Sequence, residues 1–186
     1  MYKRQDHTQA IFHYEKALRY FETGLQKKPH HIYLLDEAAR VHFNLADLSP
    51  KEAKGHWQQV VGHFRIVLSH FDADKLKVNH RVESAAFLGL AYSKTKDYAQ
   101  AELLLDTLKI TTDNWLIPYI QSCHYCLKYY SDKQNSDLDL ALAYFKRAVK
   151  GSPEAIAQAI ADQDKDLKPL KKNSQFQMIL QKEQKA

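Results

Sequence analysis

The two cysteines are the first residues of this sequence whose type and spacing could do chemistry. Cys123 and Cys126 lie in the stretch CHYC. A zinc site of this kind needs a second pair of ligands, but the chain has no further cysteine. A redox pair is expected at a helix N-terminus, which stabilises the thiolate, whereas CHYC falls in the middle of a predicted helix. We therefore predict that both thiols pack in a core, and keep metal binding and redox chemistry as alternatives.

Histidines recur at a regular spacing and could also bind a metal. His56, His63 and His70 are seven residues apart, so they lie on one side of a predicted helix. Two helical turns separate neighbouring members, about 10 Å along the axis, which is too far for one ion. We predict that these histidines pack or are solvated, and that the protein holds no metal.

The sequence has none of the common motifs of a catalytic site. A nucleophile elbow, a phosphate-binding loop, an HExxH zinc motif and a dinucleotide fingerprint are all missing, and five glycines are too few for a phosphate cradle. The acidic residues Glu15, Glu22, Asp36 and Glu37 fit the solvated faces of helices. The sequence therefore predicts neither enzymatic activity nor a cofactor.

The composition is that of an ordinary globular protein. The 186 residues are 45% apolar and carry a net charge of +5, without a run of five basic residues. Nucleic-acid binding therefore has little support. No signal-like apolar segment stands at the N-terminus, no stretch is long enough to span a membrane, and two cysteines make no disulfide framework. We expect a cytoplasmic protein that binds no membrane.

Small and aromatic residues recur in a fixed order along the chain. This order predicts the helices that must position any functional site. The clearest stretch is LGLAYSKTKDYAQAELLLDTLKITTD, with its spaced residues at Gly89, Tyr92, Ala101, Leu105, Leu108 and Asp113. Partial matches lie on either side of it, at Ala17, Phe21, Gly24 and Pro29 and at Ala141, Phe145, Ala148 and Pro153. Small residues permit close helix crossings, and aromatic residues fill the gaps between helices.

This pattern resembles the tetratricopeptide repeat family, whose unit of about 34 residues is a helical hairpin. The resemblance implies an all-α fold, a right-handed solenoid of such hairpins with a C-terminal capping helix. It implies one domain over residues 1–186, with a partial repeat at 6–30, repeats at about 31–74, 78–114 and 115–153, and the cap at 154–182.

Several helix boundaries follow from local chemistry. The stretches SPKE at 49–52 and SPE at 152–154 are typical of helix starts, with serine as the N-cap and proline in the first turn. Asp97 is predicted to cap a helix, and a last short helix is predicted to follow Ser174. The polar stretch SDKQNSD at 131–137 is predicted to be a long, mobile connection.

The resemblance also implies a binding site, because in this family the first helix of each hairpin lines a concave groove that holds a protein or peptide. The corresponding residues here are Tyr33, Asp36, Arg40, Phe43, Asn44, Glu83, Leu90, Lys94, Ile117, Ile120, His124, Leu127 and Lys128. Asp36 and Glu83 stand where a clamp for a C-terminal carboxylate would need cations. We therefore expect a mixed groove with an exposed row of leucine and isoleucine at one end.

The first matched helix would lack its partner helix and so leave an apolar edge. Ile11, Phe12, Tyr14 and Leu18 would be partly uncovered there. A folded-back N-terminal segment, a second copy or another chain could cover them. We predict an interaction surface at this edge, with self-association as one of its forms.

The sequence thus predicts a non-catalytic protein–protein interaction module that acts as an adaptor or scaffold for a protein or peptide partner. A regulatory or sensor segment that gates an effector domain or an enzyme partner is the alternative. Nucleic-acid binding is the weakest of the three hypotheses, because it rests on the net charge alone.

Overall fold

The protein is all-helical throughout the part of the chain that the structure, a computed structural model, describes. That part comprises residues 2–70, 78–108, 115–152, 155, 159 and 165–183. It contains eight α-helices, one short 3-10 helix and no strand, which confirms the predicted all-α class. The chain divides into two compact units, Met1–Ala91 and Tyr92–Ala186, and the arrangement of both as one solenoid domain stays a prediction.

The first unit is built from α1 (Tyr2–Lys27), α2 (Ile32–Leu48), α3 (Ala53–Ser69) and most of α4 (Val78–Lys94). Helices α2 and α3 pack along each other, and α1 packs on α2. The apolar stripes of these helices meet in a core whose fully buried members include Ala38, Ala39, Val60, Phe64, Val67, Ala86 and Ala91. Gly24 permits the close approach of α1 to α2, because a Cβ atom there would lie 2.7 Å from Leu34 Cδ1.

The predicted start of α3 at Ser49 is wrong. Ser49 instead ends α2, because its backbone N–H donates to the carbonyl oxygen of Leu45 at 2.8 Å. A turn follows, and α3 begins at Ala53 after Glu52, which makes no side-chain capping bond. The residue types of a helix start are present, but residues 49–52 form a turn, in which the N–H of Glu52 donates to the carbonyl oxygen of Ser49 at 3.0 Å. The start of α2 agrees with prediction, with His31 as its N-cap.

The second unit comprises the end of α4, then α5 (Tyr98–Leu108), α6 (Leu116–Asp132), α7 (Asn135–Gly151), the 3-10 helix η1 (Lys168–Lys172) and α8 (Ser174–Glu183). Helices α6 and α7 pack along each other, and α5 and η1 pack on α6. The repeat-pattern residues of this unit are core residues: Ala101, Leu105, Leu108, Ala141, Phe145 and Ala148 are buried. Phe176 of α8 packs on Phe145, with ring centroids 4.6 Å apart.

The predicted long connection at 131–137 is also wrong. Helix α6 continues to Asp132 and α7 begins at Asn135, so Lys133 and Gln134 alone connect them. Lys133 adopts a left-handed conformation with φ of 61°, and its N–H donates to the carbonyl oxygen of Tyr129 at 2.9 Å. Because this single left-handed residue is enough to end α6, the polar residues before and after the connection remain helical.

Two other local predictions hold. The Oδ1 atom of Asp97 accepts a hydrogen bond from the N–H of Gln100 at the start of α5, at 3.4 Å. The last helix begins at Ser174, although Asn173 is the residue that caps it, accepting from the N–H groups of Gln175 and Phe176. Ser152 ends α7, where its N–H donates to the carbonyl oxygen of Ala148 at 3.0 Å, while residues 153–154 of the predicted helix start and the repeat residue Asp113 lie outside the described residues.

Overpacking at Ala101 tests the register that the repeat pattern gave to α5. Ala101 is 0% exposed, so Ala101→Trp has no room for its ring and is expected to lower the free energy of unfolding by about 1–3 kcal/mol. Denaturant unfolding followed by circular dichroism measures the change. Ala99→Trp, on the exposed face of the same helix, is the control and should leave the unfolding midpoint nearly unchanged. Equal midpoints for the two variants would show that the register is wrong.

Candidate functional site

Both cysteines are buried in the middle of α6, as predicted. Neither thiol reaches the surface, where a redox partner could attack it. Among the residues that the structure describes, no group of three or more histidine, cysteine or acidic side chains is arranged to hold a metal ion. The CHYC stretch therefore contributes packing volume to the second unit.

Three histidines form a compact cluster in the first unit. The Nδ1 atoms of His42, on α2, and His56, on α3, lie 2.9 Å apart, and the His63 ring stacks on His42 with centroids 5.7 Å apart. Sequence periodicity placed His56 and His63 on one side of a helix but did not reveal that this side faces His42. The third member of that series, His70, stacks on His30 instead.

Two rings of the histidine cluster resist protonation. Burial, with the neighbouring His56 and His63 rings, lowers the pKa of His42 from 6.5 to about 4, and burial also lowers the pKa of His63. The close Nδ1 pair requires that at least one of the two rings stay neutral, because one ring must accept the proton that the other donates. The cluster is therefore a structural contact that is sensitive to acid.

Asp36 is the centre of a second polar cluster in the first unit. Its Oδ2 accepts from Arg40 Nε at 2.8 Å and lies 3.2 Å from His80 Nε2. Its Oδ1 accepts from Ser84 Oγ at 2.5 Å, and Arg40 also reaches Glu83 at 3.7 Å. Asp36 is 1% exposed, so the prediction that it lies on a solvated helix face is wrong.

The Asp36 cluster contains serine, histidine and aspartate but cannot act as a catalytic triad. A triad needs the histidine between the serine and the aspartate, so that it can take the serine proton. Here the carboxylate lies between them, and Ser84 is fully buried, out of reach of a substrate. The cluster instead joins α2 to α4 through a buried, charge-assisted network.

The predicted groove residues of the second unit are mostly interior. Ile120 is 2% exposed and Ile117 and His124 are equally buried, so the expectation of an exposed aliphatic row is wrong. The cause is that residues 117–126 of α6 all lie within a bundle with α5, α7 and η1, and Leu127 is half-buried at its end. The sequence alone could not show how many neighbours α6 has.

Polar groove residues of the second unit are held by partners within it. The Ser93 hydroxyl and His124 Nδ1 lie 2.8 Å apart. Lys94 Nζ donates to Asp166 Oδ1 at 2.6 Å, and Lys128 pairs with Glu102 at 3.2 Å and with Asp137 at 3.8 Å. Because these groups already form hydrogen bonds or ion pairs within the unit, they are poorly placed to bind a ligand.

The predicted groove residues of the first unit also pack or hydrogen-bond within that unit. The Phe43 ring packs edge-on against both Trp57 and Phe87, with centroids 5.0 Å apart in each pair. Arg40 lies over the Phe87 ring, and Asn44 donates to the carbonyl oxygen of Arg40. Glu83 is half-buried, and Leu90 is buried. Tyr33 alone of the set in this unit is largely exposed.

The outer face of α1 carries two of the three large, exposed apolar side chains found among the described residues of the first unit. Ile11, Tyr14 and Leu18 are half-buried on the side that packs on α2, while Phe12 and Tyr20 point outward and are 61% and 68% exposed. A groove of about 430 Å³ runs along this face. We call it the α1 groove; its lining residues are Phe12, Glu15, Lys16, Arg19, Tyr20 and Thr23.

The spacing of the groove residues is that of one helix face. Positions 12, 15, 16, 19, 20 and 23 recur every three or four residues, so their side chains line up along α1. The structure thus places Phe12 of the predicted N-terminal edge in this groove and turns Ile11, Tyr14 and Leu18 away from it. Sequence reasoning missed Tyr20, although the same periodicity could have found it.

Comparisons with protein-family models, with curated proteins and with solved structures gave no significant match. The family resemblance seen in the sequence therefore stays a prediction. In the part of the chain that is described, no helix combines the length and the apolar character needed to cross a bilayer.

Proposed function

We propose that this chain is a non-catalytic protein-binding module built from helical hairpins of the tetratricopeptide repeat type, and that it binds its partner through the α1 groove. The observation that carries the proposal is the exposure of two aromatic side chains, Phe12 and Tyr20, in one groove. Aromatic residues and arginine are the types that most often dominate binding energy at protein interfaces.

The repeat hypothesis is supported by two pairs of consecutive helices. Helices α2 and α3, and again α6 and α7, pack along each other across short connections, as the two arms of a helical hairpin do. The small residues that the repeat pattern assigns to helix crossings, Ala101, Ala141 and Ala148, are fully buried.

The non-catalytic hypothesis is supported by the contacts of the polar residues. The polar clusters around Asp36, His124 and Lys94 are internal, and the exposed pair of Ser69 and His70 contacts the carbonyl oxygen of Ile66 at the end of α3. Binding is the activity that the exposed surface of α1 supports.

The α1 groove is distinguished from other exposed apolar residues by the grouping of its aromatics. Large exposed side chains such as Leu103, Leu140 and Met178 stand elsewhere on the surface, and single ones of that kind are ordinary. Phe12 and Tyr20 lie two turns apart on one face, about 12 Å, with charges of both signs between them. Aromatic residues and arginine are both enriched at protein interfaces, and this groove combines the two types.

Removing the two aromatic rings tests the proposed function. Phe12→Ser with Tyr20→Ser should abolish retention of the partner in affinity capture, because both rings would be anchors, while the melting temperature should change little since both are exposed. Leu103→Ser, at an equally exposed apolar position on α5, is the matched control and should retain the partner. If every protein captured by the wild type is also captured by the double variant, the groove is not the binding surface.

A further inference from the structure

We propose that the α1 groove is filled by the same groove of a second copy of this chain, packed antiparallel about a twofold axis. This inference rests on the proposed function, since it names the partner of that site. The reasons lie in the coverage of α1, in the placement of its aromatic rings and in the order of its charges.

Helix α1 is covered on one side only. Between residues 7 and 27 every side chain is half-buried or exposed, whereas α2 buries eight of its residues. The half-buried stripe faces α2, where Gly24 meets Leu34 and Leu25 packs on the buried pair Leu35 and Val67. The opposite side of a 26-residue helix therefore remains open along much of its length. A second helix is the partner whose shape best matches such a groove.

The two aromatic rings are placed symmetrically for antiparallel pairing. A twofold axis that crosses α1 between residues 16 and 17 brings Phe12 to the level of residue 21 in the second copy. That is one residue, about 1.5 Å, from the level of Tyr20. Each Phe12 can then pack against Tyr20 of the other copy, so that all four exposed rings are covered at once.

The charges of the groove follow the same symmetry. The same axis brings Glu15 to the level of residue 18 in the second copy, again one residue from Arg19. Two ion pairs between Glu15 and Arg19 therefore form by symmetry. Lys16 lies beside the axis, one residue in level from Lys16 of the other copy and two residues from its Glu15. In a parallel pair each residue would instead face the same residue of the second copy. Like charges would then lie opposite each other, and so would identical rings.

A charge-exchange experiment with the full chain tests this arrangement. Wild-type protein is expected to be a dimer in multi-angle light scattering, and to dissociate on dilution. Glu15→Arg places two arginines opposite two arginines, and Arg19→Glu places glutamates opposite glutamates. Each single variant should therefore dimerise about tenfold more weakly or worse. Arg65→Glu, an exposed reversal on α3, is the control and should dimerise like the wild type.

The decisive sample is an equimolar mixture of the two reversed variants, one of them labelled with ¹⁵N. Glu15→Arg and Arg19→Glu carry complementary grooves, so native mass spectrometry should find the mixed dimer in excess over both homodimers. A wild-type protein that stays monomeric at its highest soluble concentration would overturn the inference. So would a wild-type dimer whose reversed variants fail to pair with each other, because its interface would then lie elsewhere.

The two proposals fail in different ways. If the wild type is monomeric but Phe12→Ser with Tyr20→Ser still loses a captured protein, the groove binds a different protein, so the proposed function stands and the second-copy inference falls. If the wild type is monomeric and capture does not depend on the rings, both fall. A thermal melt of each variant, followed by circular dichroism, serves as the control that the variant is folded under the conditions of the binding measurements.

Discussion

Replacing Asp36 with alanine is expected to destabilise the protein by about 3 kcal/mol, because it removes the acceptor at the centre of a buried network. Asp36 accepts from Arg40, His80 and Ser84, and all three would lose that contact. The expected cost is at the lower end of the range for breaking a buried ion pair. The reason is that Arg40 would still have Glu83 as an ion-pair partner, at 3.7 Å. Urea unfolding monitored by circular dichroism measures it.

The neighbouring residue provides the control for Asp36. Glu37 is exposed on the same helix, and Glu37→Ala should change the free energy of unfolding by less than about 0.5 kcal/mol. Asp36→Asn should recover part of the loss, because an amide oxygen can still accept from Ser84 while the amide nitrogen faces the donors of Arg40 and His80. Equal stability of Asp36→Ala and Glu37→Ala would contradict the structural role assigned to the network.

Acidification is expected to destabilise the protein through His42. The pKa of His42 is 6.5 when unfolded and about 4 in the folded protein, so between these values the unfolded chain binds more protons. Stability should therefore be unaffected by this residue above pH 6.5, fall as the pH drops below 6.5, and level off below about pH 4. The total loss is about 3 kcal/mol, and the lowered pKa of His63 adds to it with the same sign.

Removing the His42 imidazole should flatten this pH dependence. In His42→Phe the ring can still pack between His56 and His63 but takes up no proton, so the free energy of unfolding should vary less between pH 7 and pH 4. Glu52, 3.9 Å from His56 Nε2, is the nearest charged group to this ring pair among the described ion pairs. The control is His7→Gln at an exposed position on α1, which should keep the wild-type slope. An unchanged slope in His42→Phe would contradict the assignment to this residue.

The sequence alone determined the helices and much of what they bury. The repeat pattern of small and aromatic residues predicted the helices, and the spacing of Ala101, Ala141 and Phe145 predicted positions that are fully buried. The cap at Asp97 and the start of the last helix at Ser174 were predictable because capping depends on residues three apart in the chain. Such features are fixed by short-range chemistry, which a single sequence displays directly.

Only the tertiary structure decided which polar and apolar residues would meet. Asp36 bonds to Ser84, 48 residues away, and Lys94 pairs with Asp166, 72 residues away. Ile120 has the residue type and spacing expected of an exposed groove, yet α5, α7 and η1 enclose its helix. Helical periodicity gives the face on which a side chain lies, but its burial depends on how many distant helices pack against that face.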